Sequence, residues 1–479
     1  MNEPRTALTN PFSRRQLLVA STMGLAGMRF GHPSLVTGSD IQSEQPQGGG
    51  QAKSTILFFL CGGSSHIDMW DLKPKAPLEY RGEFKPVDTS ASGLQISEHL
   101  PKLARVGHHL AVVRSIRGTV NTNDHHAGYY YNLTGHVPDP TFLTLGNDRT
   151  PMPDDWPYMG CVVGSRRPQH PDLPNAITLP IKPSKLPYTR PGQFAARLGV
   201  EHDPMYILGD RTKPMVFQAP ALTLEGNVSA GRLLARDSLL STVDSARRDM
   251  EAKSRIQTWS QLQHQAMRLL SGGGATRAFD LSAESEKALE RYGKTINGMS
   301  LLVARRLVEA GVPFITVFWA ENDDKVADKC KSGGGWDTHG SNFACLKEDL
   351  LPEFDNGFSA LIEDLEQRGL LDSTMLVVTS EMGRKPKVGD PRSGGVKGAG
   401  RDHWTHTQSV VLAGGGINGG QAYGTTDKYG EYPEEKPVTP AHIAHSVYHA
   451  MGIKNLEATD KDGRTFNLLA EGKPLLELF

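Results

Sequence analysis

The sequence predicts an α/β protein with a mostly parallel central sheet flanked by helices and carrying a helical insertion. Three observations predict it. Short, continuously apolar runs at 56–60, 314–318, 375–379 and 409–413 read as strands buried on both faces. Helical stretches at 295–310 and 343–367 alternate with those runs. The 479 residues include 51 Gly and 31 Pro, which suits many loops between short elements better than a helical bundle.

In chain order, Ser13-Arg14-Arg15-Gln16-Leu17-Leu18 is a twin-arginine pattern, and the apolar run from Leu17 to Met28 has the length of a signal segment. It is too short to span a bilayer, and no other segment is long and apolar enough to do so. Residues 1–31 therefore read as an export signal for a folded protein, whose destination is the periplasm or another exported location. No small-x-small cleavage site is visible, so retention as an uncleaved anchor stays open. Residues 32–53, rich in Ser, Gln and Gly, read as a flexible linker, and 54–479 as one large domain.

Within that domain, Ile56-Leu57-Phe58-Phe59-Leu60 is the first strand, and a glycine-rich polar loop comes after it. Leu110–Ser115 is a second strand, leading through a polar loop to a helix over 127–134. Residues 181–282 change character, with a Pro-rich stretch and then polar amphipathic segments such as 233–270. They read as an insertion or cap. The helix over 295–310 ends at Gly311, and Phe314–Phe318 is a strand. Leu346, Leu350, Phe354, Phe358, Leu361 and Leu365 form one helical stripe, interrupted by Pro352. In open α/β sheets, ligands bind at the carboxyl ends of such strands.

With 52 basic and 53 acidic residues, the net charge of −1 offers no basic excess for a nucleic-acid backbone, so nucleic acid is excluded as a partner. Cys61, Cys161, Cys330 and Cys345 form no CxxC pair. Export permits a disulfide, but the simplest expectation is four buried or free thiols.

Two segments resemble the sulfatase branch of the alkaline phosphatase superfamily: 354–381, ending in Met375-Leu376-Val377-Val378-Thr379-Ser380-Glu381, and Asn132-Leu133-Thr134-Gly135-His136. The helix over 438–453 resembles that family's terminal helix. A bacterial family of the same superfamily, domain of unknown function 1501 (DUF1501), is similar over most of 53–479. Its matching residues are Gly62-Gly63-Ser64-Ser65-His66-Ile67-Asp68-Met69-Trp70-Asp71, Ala278-Phe279-Asp280-Leu281-Ser282, Gly335-Trp336-Asp337-Thr338-His339-Gly340 and Gly400-Arg401-Asp402-His403-Trp404.

The resemblance implies an alkaline phosphatase-like fold and an exported, metal-dependent hydrolase of sulfate or phosphate esters. Its substrate would be a small-molecule or polysaccharide ester. A non-catalytic, sulfatase-like binding protein is the alternative. The implied cofactor is a divalent metal, Zn, Mn, Mg or Ca, held by imidazoles and carboxylates. Asp337, His339 and His403, each in a glycine-rich loop, are the first ligand set. Glu381 stands where the superfamily has a metal-binding aspartate, but Met382 replaces the histidine that usually comes next. Gly62-Gly63 replace acidic ligands after the first strand, so His66 and Asp68 are taken as substitutes.

Arg384 suits an ester oxygen. The family's nucleophile position is His125, with Thr122 the nearest hydroxyl. Three routes stay open: attack by metal-activated water with His125 as ligand or base, attack by Thr122, or no hydrolysis. His442, His445 and His449 share a helical face and read as structural.

Overall fold

The computed structural model describes residues 50–118, 124–185, 188–219, 277–321, 324–331, 335–391, 395–459 and 463–479. The twin-arginine segment, nearly all of the linker, Thr122 and the segment 233–270 lie outside the described residues.

Eight strands form the central sheet: β1 (Ser54–Phe59), β2 (Ala111–Ile116), β3 (Ala176–Leu179), β4 (Met205–Tyr206), β5 (Phe314–Phe318), β6 (Thr374–Thr379), β7 (Gln408–Ala413) and β8 (Gln421–Tyr423). Their spatial order is β8-β2-β7-β6-β1-β5-β3-β4. The first strand in sequence is thus interior, with Phe58 paired to Val317 on one side and Val378 on the other, both in parallel. Burial on both faces explains why β1, β5 and β6 read as unbroken apolar runs.

The side chains of β1 alternate between two cores. Ile56 and Phe58 point to one shared with Leu301, Phe354 and Phe358, whereas Leu57 and Phe59 point to one shared with Tyr129, Leu133 and Val447. Among the described residues, the helices that frame the sheet and its carboxyl edge include α1 (His66–Met69), α2 (His125–Thr134), α3 (Met159–Ser165), α4 (Ile296–Glu309), α5 (Leu351–Gln367) and α6 (Pro440–Ala450). Helices α4 and α5 cover the first face, and α2, α3 and α6 the second. Phe58 lies fully buried with its ring 5.8 Å from that of Phe354. Burying one such side chain stabilises the fold by about 1.5–3 kcal/mol.

Three expectations change in detail. Strand β7 is antiparallel to both neighbours, with Val411 opposite Val378 and Val112. Its start, rather than its end, therefore lies at the carboxyl edge of the other strands. Pro352 does not break the helix. One widened turn, Leu346–Leu350, joins Asn342–Cys345 to α5 and absorbs the proline. Finally, β4 returns to the sheet from within 181–282, where it pairs with β3. Among the described residues no helix is long and apolar enough to cross a membrane.

Candidate active site

Five chain segments meet at the carboxyl edge of β1, β5 and β6. The first is the loop after β1. Gly62 adopts φ +119°, and a Cβ there would sit 2.4 Å from the backbone nitrogen of Asp337. Only glycine lets the two loops approach so closely. Its amide donates to Glu381 Oε1 at 2.8 Å. The glycine that replaces an expected acidic ligand thus contributes a backbone contact.

The second segment is the loop after β6. Ser380 Oγ donates to the Leu60 carbonyl at 2.7 Å and accepts from the Ser64 amide at 3.0 Å, tying this loop to the first. Glu381 is buried there. The third is the start of α2, capped by Asp124, whose carboxylate accepts from the Ala127 amide at 3.1 Å. A Cβ on Gly128 would lie 2.4 Å from the Glu381 carbonyl, so the helix rests directly on that loop. His125 Nδ1 then faces Glu381 Oε1 at 2.8 Å.

The fourth segment brings Asp337 and His339, and the fifth brings His403, whose two-residue strand His403–Trp404 pairs antiparallel with Gly383–Arg384. Asp337 is the hub. Its Oδ1 lies 2.7 Å from His339 Nε2, 3.0 Å from His403 Nε2 and in contact with Arg384, and its Oδ2 lies 3.5 Å from His125 Nε2. His339 turns its Nδ1 to Asp390.

The electrostatics derive from this crowding. Burial opposes a charged carboxylate, but Arg384 and the three imidazoles hold Asp337 well below the usual carboxylate range. Burial also opposes Glu381, which His125 nevertheless keeps below its ordinary value. His125 is lifted above the ordinary imidazole value because Asp337 and Glu381 outweigh its burial. Burial lowers His403, which keeps that ring neutral, the form that ligates metals, at neutral pH.

Donor atoms of His125, Asp337 and His403 lie within 4.8 Å of one another, and His339, Asp390 and Asp402 form a second such group. In a tetrahedral site with bonds of about 2.0–2.1 Å, neighbouring donors stand about 3.3 Å apart. Here His403 Nε2 lies 3.0 Å from Asp337 Oδ1 and His125 Nε2 3.5 Å from Asp337 Oδ2, so the two imidazoles approach different oxygens of one carboxylate. Glu381 on His125 and Asp390 on His339 occupy the position of the carboxylates that orient metal-binding imidazoles. This donor set fits a divalent ion.

The structure brings together His125, Asp337, His339, Glu381 and His403, with Arg384 beneath them. It separates Asp68 and His66 from that group. Asp68, read from the sequence as a ligand, is fully buried against Arg401, with Nε at 2.8 Å from Oδ2 and Nη2 at 2.9 Å from Oδ1. It also accepts from Ser65 at 2.6 Å and Asn342 at 2.9 Å, which engages both oxygens within the fold. His66 is directed at the Gly430 carbonyl, 2.8 Å away. Arg384, expected to face an ester, is buried, and its three nitrogens donate to the Gly62, Gly63, Trp336 and Arg401 carbonyls and to Asp337. It positions the hub carboxylate. His442 caps its own helix at Thr439, and His449 packs on Phe479.

Sequence reasoning missed Asp390, Cys61, Tyr129 and Arg190. None stands in a motif, although Cys61 lies just after the first strand and Tyr129 lies one helical turn beyond His125. The Cys61 thiol is pushed up to about 12 by burial and by Glu381, so it is not a thiolate nucleophile at neutral pH. The sequence also left the cysteines unpaired. Cys330 and Cys345 form a disulfide that flanks the Asp337–His339 loop, while Cys61 and Cys161 are free.

Fold and site together define an α/β protein with a histidine–carboxylate cluster at the carboxyl edge of a mostly parallel sheet. The chain belongs to the family described as protein of unknown function (DUF1501), whose model matches residues 52–479. No curated protein matches it. Among solved structures it is similar to a Bacteroides thetaiotaomicron protein of multiple-glycosaminoglycan metabolism (11% identity, TM-score 0.40, covering 86% of this chain and 83% of that one). It is also similar to a phosphonate monoester hydrolase from Silicibacter pomeroyi (10% identity, TM-score 0.38, covering 88% and 76%). A sulfatase from Pseudoalteromonas sp. is a third (11% identity, TM-score 0.36, covering 84% and 68%).

Proposed function

We propose that the protein is an exported, metal-dependent hydrolase of sulfate or phosphate esters. The observation that carries this reading is the convergence of His125, Asp337 and His403 donor atoms within 4.8 Å at the ligand-binding edge of the sheet. A divalent ion held there would polarise an ester oxygen and lower the pKa of water. Two imidazoles and one carboxylate match the ligand types of a hydrolytic zinc site, which leaves a position for substrate.

The chain's own residues would prepare that site. Glu381 holds His125 with Nε2 toward Asp337. Arg384 fixes Asp337 from behind. His339, backed by Asp390, joins the hub from the other side. Neither a cysteine thiolate nor a described serine occupies the start of α2, so water is the preferred nucleophile, with His125 as ligand in preference to base. The substrate would be a small-molecule or polysaccharide ester.

The test is metal analysis of the purified chain, together with a panel of sulfate and phosphate monoesters and diesters. Wild type should retain about one divalent ion or more per chain and cleave one substrate class. His403→Ala should lose metal and activity together while keeping its circular dichroism spectrum. Folded wild type that holds no metal after loading and cleaves no ester would leave only the binding-protein reading.

A further inference from the structure

An ester of this class is an anion, and Asp337 and Glu381 both place negative charge beside the site. A cation must meet the substrate oxygens, and Arg384 is already fully engaged within the fold. Arg190 is placed differently. It lies half-buried in the segment after β3, with its guanidinium carbon 4.4 Å from the centre of the Tyr129 ring. Tyr129 is four residues beyond His125 on α2, so the two share a helix face. The Tyr129 ring in turn lies 4.7 Å from that of Phe59, at the carboxyl end of β1.

The segment carrying Arg190 is braced. Gly192 has φ +86°, and a Cβ there would lie 2.8 Å from the Tyr130 Cα, so the chain lies flat on α2. The buried Gln193 amide donates to the Pro183 carbonyl at 3.0 Å and to the Arg190 carbonyl at 2.8 Å. One nitrogen of the guanidinium is unsatisfied: Nη1 is buried without a hydrogen-bond partner. Burial disfavours the arginine's charge, while the ionised Glu381 and Asp337 carboxylates favour it. An arginine held over an aromatic ring with one buried, unpartnered nitrogen can turn its planar fork to two oxygens of a tetrahedral oxyanion.

We propose that Arg190 binds the non-bridging oxygens of the sulfate or phosphate group at the His125–Asp337–His403 site. The assignment rests on the hydrolase reading for the substrate's class, but not for the existence of an oxyanion site. The experiment measures binding of inorganic phosphate and of sulfate to metal-loaded, full-length protein by calorimetry, beside metal content and melting temperature. It compares wild type with Arg190→Ala and with Arg190→Lys, which keeps the charge and the packing over Tyr129.

Wild type should bind at least one oxyanion. Arg190→Ala should weaken it by about 10- to 100-fold at unchanged metal content, and Arg190→Lys by less. Wild-type affinity in either folded variant, or no oxyanion binding by wild type, overturns the proposal. If Arg190→Ala does not fold, the lysine variant decides alone. Arg190-dependent oxyanion binding without any ester hydrolysis would sustain this assignment and remove the hydrolase reading.

Discussion

Glu381 Oε1 lies 2.8 Å from His125 Nδ1 although the two residues are 256 positions apart. The same oxygen accepts the Gly62 amide. One buried carboxylate thereby joins the loops after β1 and β6 to the start of α2 and sets the face His125 presents to Asp337.

Glu381→Gln should therefore act through His125. The amide retains size but loses the charge that orients and supports the imidazole. Metal affinity should fall by about 10- to 100-fold, the usual loss for a carboxylate behind a metal-binding histidine. Competition titration against a chelator measures it. Unchanged affinity would show that His125 is not a ligand or that Glu381 does not position it.

Asp68→Asn should behave in the opposite way. Asp68 and Arg401 are both fully buried and paired through two bonds. Neutralising the carboxylate strands a buried guanidinium, at a cost of about 3–5 kcal/mol. Urea unfolding should show that loss, while metal content per folded molecule stays at the wild-type level. A variant of normal stability that has lost metal would restore Asp68 as a ligand.

The Cys330–Cys345 disulfide spans 15 positions and encloses both Asp337 and His339. Replacing both cysteines with serine should lower stability by about 3 kcal/mol. Reductant should destabilise wild type by a similar amount and leave the double variant unaffected. Equal unfolding curves for wild type with and without reductant would contradict this.

Acid should weaken the fold through His136 and His202. Burial lowers each from 6.5 to about 4. The folded-state values are depressed, so the unfolded chain takes up the protons first. Stability is complete above about pH 6.5 and falls as pH drops toward 4. His136 lies 2.6 Å from the Leu468 carbonyl and stacks on Trp156. His136→Gln should flatten part of the decline in melting temperature over that interval. A wild-type profile unchanged between pH 7 and 4.5 would exclude the mechanism.

Arg14 and Arg15 precede an apolar run of signal length. Changing both to lysine should hold the protein in the cytoplasm, as judged by cell fractionation and immunoblotting. Undiminished export would remove the twin-arginine reading.

Local signals in the chain determined the layered architecture. An unbroken apolar run such as 56–60 can only be buried on both faces, and a stripe like Phe354, Phe358 and Leu361 can only cover a sheet from one side. Glycine-rich loops likewise marked Asp337, His339 and His403 as candidates. Tertiary structure decided what such local patterns do not encode. The direction of β7 depends on its partners, and reversing it is what carries His403 to the site. Whether a charged residue faces a ligand or an internal counterion depends on what packs against it, as Asp68 and Arg401 show across 333 positions. Asp390 behind His339, the Cys330–Cys345 pairing and the placement of Arg190 over Tyr129 are likewise set by packing. In the Asp68–Arg401 and His339–Asp390 pairs the contact forms because a buried charge or polar group must find a partner.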